Sequence, residues 1–182
     1  FMEFIELVGY PVIVKPNVGV GAAATYKINC PEDLKKFYDD GFYVPYIMEE
    51  FINAEIYTYD AIINSKGEPL FEAGNVTPFS LMDVVNNKDN SVYYIVKELK
   101  EDVRKAGLAT VKSFGVKSRF VHFEFFRLLA DHEGLGKKGD VMALEVNMRP
   151  AGGFTPDLFN FHASTNVYKI WADMIAYDSS LM

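Results

Sequence analysis

The run Ala143-Leu144-Glu145-Val146-Asn147-Met148-Arg149 alternates apolar and polar residues along its length. On a β-strand successive side chains point to opposite faces, so Leu144, Val146 and Met148 enter a core while Glu145, Asn147 and Arg149 share the other face. A single strand thus presents a carboxylate, an amide and a guanidinium in a row. The preceding apolar run, Phe120-Val121-His122-Phe123-Glu124-Phe125-Phe126, reads as a second strand holding one carboxylate among aromatics. The connecting loop is centred near residue 135 or 136. A hairpin about that centre sets Glu124 about opposite Asn147, with Glu145 diagonally adjacent on the same face.

Two carboxylates held that close repel each other unless a cation lies between them. A hard divalent ion bound by two carboxylates and an amide oxygen, and completed by phosphates and water, is the usual setting of Mg²⁺. Arg149, one step further along, suits phosphate oxygens or the charge of a transferring phosphoryl group. The competing reading is a solvated sheet face on which Arg149 pairs with Glu145. His122 and His162 could serve acid–base chemistry, although packed or surface roles suit them better.

Two further segments can contribute. Val14-Lys15-Pro16 ends an apolar strand just before Asn17-Val18-Gly19-Val20-Gly21, where a lysine and uncovered backbone N–H groups can meet phosphates. A plain structural turn explains the same glycines. Ile47-Met48-Glu49-Glu50-Phe51-Ile52, followed by Glu55, places acidic residues at the junction between two parts of the chain. Such junctions are frequent nucleotide sites, although ordinary surface charge reads the same way.

The remaining pattern is α+β. Residues 1–9 read as the tail of a helix that starts upstream, closed by Gly9. Residues 10–52 form a small lobe: strands Tyr10 to Lys15 and Ala22 to Ile28, a helix from Pro31 to about Asp40, and a strand from Tyr46 to Phe51. Residues 53–182 form a larger lobe. It opens with a hairpin, Ile56 to Asn64 and Pro69 to Glu72, around the turn Ser65 to Glu68. An irregular stretch, 75 to 92, follows. Val103, Gly107, Val111 and Phe114 mark one helix stripe, and Val167, Ile170, Trp171, Met174 and Ile175 another.

Composition narrows the function. The 182 residues carry a net charge of −7, so no basic field exists for nucleic acid or an anionic membrane surface. The single cysteine, Cys30, cannot close an internal disulfide and fits a reducing compartment. No apolar run is long enough to span a bilayer, and the N-terminus lacks the pattern of a cleaved leader. A cytoplasmic protein is expected. At 15% the aromatic content is high and fits strand and core packing.

Taken in order, Tyr10-Pro11-Val12-Ile13-Val14-Lys15-Pro16, the glycine loop, Met48-Glu49-Glu50-Phe51-Ile52, Glu55, Phe123-Glu124 and Glu145-Val146-Asn147-Met148-Arg149 resemble the ATP-grasp superfamily. The resemblance is greatest to the branch of carbamoyl-phosphate synthase large chains, biotin carboxylase and amino-acid ligases. It covers nearly the whole chain, and its most specific piece is the Glu-x-Asn-x-Arg strand with the upstream glutamate. It implies an α+β fold in which two α+β lobes grip ATP. It also implies a ligase that phosphorylates a carboxylate with ATP and passes the acyl phosphate to an amine.

Residue by residue, the resemblance implies that Lys15 meets the α- and β-phosphates under a lid formed by Gly19 to Ala23, including Gly21. Glu49 would meet the adenine amino group, the backbone of Glu50, Phe51 and Ile52 the adenine edge, and Glu55 the ribose. Glu124, Glu145 and Asn147 would hold Mg²⁺, with Mn²⁺ as a substitute, and Arg149 with Asn147 would serve phosphoryl transfer. The partners implied are a small carboxylic acid, an amine and a missing N-terminal domain of the same polypeptide; a homodimer is an allowed assembly. The loop from Gly19 to Ala23 is less glycine-rich than that of biotin carboxylase, so bicarbonate is not assumed as the substrate. A phosphotransferase without ligation and a non-catalytic nucleotide-binding module are the alternatives.

Overall fold

The computed structural model describes residues 1–18, 24–78 and 92–181. These residues form two compact units, one within residues 1–53 and one made of residues 54–78 and 92–181. Gly19, Gly21, Ala22 and Ala23 of the expected glycine loop lie outside the described residues.

The first unit carries a short helix, α1 (Met2–Val8), and strands β1 (Val12–Pro16) and β2 (Tyr26–Ile28). Helix α2 (Pro31–Asp40) and strand β3 (Tyr46–Glu50) complete it. Pro31 opens α2 with Glu32 and Asp33 in its first turn, as a proline at the start and acids beside exposed N–H groups favour. The sheet order is β2-β1-β3, antiparallel throughout. Val12 and Val14 face the core with Ile5, Ile28, Leu34 and Phe37. Of the strand expected from Ala22 to Ile28, the described part is extended only from Tyr26, because Ala24 takes a φ of 57°, which interrupts extended backbone.

The second unit is a six-stranded antiparallel sheet with helices on both faces. Its strands are β4 (Ala54–Ile63), β5 (Pro69–Ala73), β6 (Asn75–Thr77), β7 (Tyr94–Ile95), β8 (Arg119–Leu128) and β9 (Val141–Asn147). The order is β7-β6-β4-β8-β9, and β5 also pairs with β4. β5 and β6 thus succeed one another along a single edge of the long strand β4. At the handover sits Gly74, where a Cβ would come 2.6 Å from the Thr58 carbonyl oxygen. Asn75–Thr77 corrects the reading of 75 to 92 as irregular from its start.

One face of this sheet buries Tyr57, Tyr59, Ala61, Ile63, Val121, Phe123 and Phe125 beneath α3 (Glu101–Ser113). Helix and sheet approach closely because residue 107 is glycine: a Cβ there would lie 2.2–2.6 Å from ring atoms of Tyr59. Tyr59 is fully buried, stacked against Phe123, and donates its hydroxyl to Glu72 at 2.9 Å. On the opposite face, Ile62 and Phe120 are covered by α4 (Thr155–Ala163) and α5 (Val167–Tyr177), through Phe159, Val167, Ile170 and Met174. Two apolar positions behave differently from their stripes, since Phe114 and Ile175 are exposed. No helix among the described residues is long and apolar enough to cross a membrane.

Candidate functional site

On the sheet face that packs against α4 and α5, three adjacent strands also present polar residues in register. In the first row Asp60 of β4 lies opposite His122 of β8, which lies opposite Asn147 of β9. The second row aligns Thr58, Glu124 and Glu145 in the same way. Glu124 therefore faces Glu145 directly, and Asn147 faces His122. This corrects the expected pairing of Glu124 with Asn147 by two residues. The hairpin is centred at Gly134 rather than at 135 or 136, since His132 bridges Gly136 and Arg127 pairs with Val141. That register alone would set Glu124 opposite Leu144, and a β-bulge that leaves Leu144 as an extra residue on β9 brings Glu145 there instead. Val146 and Met148 do pack against the core below α3 as their alternation requires.

His122 ties the two rows together. Its Nδ1 donates to Asp60 Oδ1 at 2.8 Å, and its Nε2 donates to Glu124 Oε1 at 3.1 Å. Burial on its own lowers the imidazole pKa, but the bonds to Asp60 and Glu124, reinforced by their charges, push it up to about 10. The ring is a cation at neutral pH. Asp60 is fully buried, and its second oxygen accepts the Thr58 hydroxyl at 2.5 Å. Thr58 Oγ1 in turn accepts the Asn75 backbone N–H at 2.9 Å.

Glu145 is exposed and has no hydrogen-bond or ion-pair partner among the described residues, and Asn147 Nδ2 is buried without one. Arg149 does not pair with Glu145; its guanidinium donates to the Pro150 carbonyl at 3.0 Å. An unpaired buried amide is costly, so its presence beside two facing carboxylates fits a site completed by a ligand. Among the described residues no group of three or more His, Cys, Asp or Glu is disposed to hold a metal. The share of Glu124, Glu145 and Asn147 is two carboxylates and one amide. That oxygen set suits a hard divalent ion whose other ligands are phosphate and water.

In the first unit, Lys15 and Glu49 sit on the sheet face turned away from the core and form an ion pair at 2.7 Å. Lys27 shares that face, since it lies opposite Ile13, and its ammonium sits 3.8 Å from the centre of the Phe51 ring. Sequence reasoning passed over Lys27, whose signal was only its alternation with buried Ile28. Phe51, Ile52 and Asn53 lie outside the strands, between the end of β3 at Glu50 and the start of β4 at Ala54. Glu50 lies opposite Val12, on the core side of the sheet. Glu55, on β4, is directly opposite Arg127. Asp60 was also missed, although a lone carboxylate inside Tyr57-Thr58-Tyr59-Asp60-Ala61-Ile62-Ile63 is a signal in itself, because a charge in a doubly covered strand requires a partner.

No family model matches the chain. Among solved structures, a D-alanine–D-alanine ligase from Bacillus anthracis in complex with ATP superposes with a TM-score of 0.65 at 19% identity, over 97% of this chain and 54% of the other. A biotin carboxylase complex from Campylobacter jejuni gives 0.66 at 17% identity, over 93% and 38%. The chain has the ATP-grasp fold. Among curated relatives of this ATP-grasp chain, D-alanine–D-alanine ligase B of Clostridium perfringens is 31% identical over 153 residues, covering 81% of this chain and 47% of the relative. The D-alanine–D-alanine ligase of Clostridium botulinum strain Alaska E43 is 31% identical over 119 residues, covering 61% and 38%. The chain thus spans less than half the length of these curated relatives.

Proposed function

We propose that this ATP-grasp chain binds ATP for a ligase that joins a carboxylate to an amine through an acyl phosphate. One observation carries the reading: Glu124 and Glu145 face each other across β8 and β9, with Asn147 in the neighbouring row and Arg149 two residues further along. Such a pair of carboxylates is stabilised when a divalent cation and a polyphosphate come with it. The names of the curated relatives support the ligase class.

In this reading Glu124, Glu145 and Asn147 hold Mg²⁺, which supplies charge neutralisation to the phosphates. Lys15 leaves Glu49 to contact the phosphates as a point charge, and freed Glu49 accepts from the adenine amino group. The backbone of Glu50 to Ile52 reads the adenine edge, and Glu55 takes the ribose. Arg149 exchanges the Pro150 carbonyl for the oxygens of the transferring phosphoryl group. The substrate carboxylate attacks the γ-phosphorus, the bond to the bridging oxygen breaks, and ADP leaves. The amine then attacks the acyl carbon and expels phosphate. Transfer of this kind asks the protein chiefly for positioning and electrostatic stabilisation.

The test is calorimetry of ADP binding to the full-length protein with and without Mg²⁺, followed by assay of ADP release against pooled carboxylic acids and amines. Tighter binding with Mg²⁺, and ADP and phosphate release that requires both acceptors, is the expected result. Equal affinity with and without Mg²⁺ overturns the metal assignment. Transfer of phosphate to a single acceptor, with no amine needed, overturns ligation.

A further inference from the structure

The proposed chemistry assigns no part to the buried wire behind Glu124, yet the wire is complete. It starts at the Asn75 N–H, which donates to Thr58 Oγ1; the Thr58 hydroxyl donates to Asp60; His122 donates to Asp60 from one nitrogen and to Glu124 from the other. Every member except Glu124 is buried: Thr58 is 3% exposed, Asp60 0% and His122 8%. Burying an aspartate and a histidine in this way carries a large desolvation cost that an apolar pair would avoid. The cost is spent on an arrangement whose single partly exposed end is a carboxylate of the proposed cation site.

We infer that Asp60 and His122 are positioning residues that hold Glu124 in one rotamer, with Oε1 committed to His122 and Oε2 left to face Glu145 and the incoming cation. This rests on the reading of Glu124 as a metal ligand. The wire fixes a ligand oxygen in advance, so cation and nucleotide need not order a free glutamate, whose side chain is rich in rotamers. It also limits Glu124 to a single free oxygen, which favours a small ion with one contact per carboxylate over a larger one that takes carboxylates two oxygens at a time. Glu145, which has no such support among the described residues, is the adaptable member of the pair.

The experiment compares the full-length protein with Asp60→Asn, His122→Gln, His122→Phe and the double variant Asp60→Asn/His122→Gln. Each is titrated with ADP in the absence of metal, with Mg²⁺ and with Ca²⁺, and its melting temperature is recorded. The expected result is a loss of about ten- to a hundredfold in the factor by which Mg²⁺ tightens ADP binding, the range usual when the support of a metal ligand is removed. Affinity for metal-free ADP stays within about twofold, and the preference for Mg²⁺ over Ca²⁺ narrows, which a merely structural role would not produce. His122→Gln retains one donor and keeps part of the effect; His122→Phe loses all of it. Because the two residues act as one unit, the double variant loses no more than the worse single one. If His122→Phe fails to fold, the near-isosteric Asp60→Asn still decides the matter. An unchanged Mg²⁺ factor in a folded Asp60→Asn protein overturns the inference while leaving the metal site intact. A parent protein that shows no Mg²⁺ factor overturns the metal reading itself.

Discussion

Gly107→Ala separates packing from helix propensity, because the two oppose each other at this position. Alanine in the middle of a helix is favoured over glycine by about 1 kcal/mol. Here the new methyl carbon would lie 2.2 Å from Tyr59 Cγ and 2.5–2.6 Å from both Cδ atoms, the root of the ring. The ring has little freedom to retreat, since it is fully buried, stacked on Phe123 at 6.2 Å between centroids, and tied through its hydroxyl to Glu72. Glu72 is in turn gripped by Arg104 through two bonds of 2.9 and 3.0 Å. Overpacking of this kind costs about 1–3 kcal/mol. Losing the hydrogen bond to a charged group adds about 1.5–3 kcal/mol if the ring swings free. Setting about 1 kcal/mol of propensity against both leaves a net destabilisation of about 1.5–5 kcal/mol. At about 2–4 °C per kcal/mol for a chain of this size, the melting temperature should fall by roughly 3–20 °C. Thermal unfolding followed by near-ultraviolet circular dichroism reads both the midpoint and the tyrosine environment. A Gly107→Ala protein that melts at or above the parent would refute the argument and show that helix and sheet can separate at no cost.

Three shorter expectations follow from the proposed chemistry and the ion pairs. Glu145→Gln should reduce the Mg²⁺ enhancement of ADP binding about ten- to a hundredfold, the worth of one charge-assisted contact, in the same calorimetric assay. Lys15→Ala should change the melting temperature little, since Lys15 and Glu49 are both partly exposed and such pairs contribute at most about 1 kcal/mol; nucleotide affinity should nevertheless drop at least about tenfold, as for the loss of a charged phosphate contact. Asp178 is held below its ordinary value of 3.8 by bonds from the Ser65 hydroxyl and backbone N–H, which clasp the end of α5 to the β4–β5 turn. A depressed carboxylate stabilises the fold above its unfolded pKa and ceases to do so as pH falls through the folded one. Melts taken from pH 6 downward should therefore be flat to about pH 4 and decline below it, more shallowly for Asp178→Asn.

The polar row on β9 was readable because alternation is a local property: Glu145, Asn147 and Arg149 need no knowledge of their neighbours to share a face. Its pairing was not readable in the same way. The loop closes around Gly134, nearer to β8 than its expected midpoint, and the one-residue bulge at Leu144 makes up only part of that difference, so the expected partner of Glu124 was wrong by two residues. Asp60 and His122 were hidden for a different reason. Their bond joins residues 62 positions apart, and only the β4–β8 register brings them together. Short elements also escaped notice. β6 has three residues and no room for a period, and α4 begins at Thr155 with Pro156 and buries only Thr155, Pro156 and Phe159, too few for a stripe. The exposed Phe114 and Ile175 show the converse error, in which apolar spacing overstates what a helix buries.

The bulge at Leu144 makes β9 a strand with one residue to spare. On its near side Phe125 meets Ala143, and on its far side Glu124 meets Glu145, so excising Leu144 would leave consecutive residues already aligned on consecutive rungs. Such a deletion would not slide Glu145, Asn147 or Arg149 off their face; it would remove only the local coiling that a bulge imposes. Loss of Met142 or Ala143 could be absorbed by the same slack, with Leu144 taking the rung opposite Phe125, whereas an added residue could not. Length variation in β9 is therefore asymmetric: the strand tolerates shortening by one and resists lengthening, and a shortened version would keep its reading frame while aiming its carboxylate at a different angle.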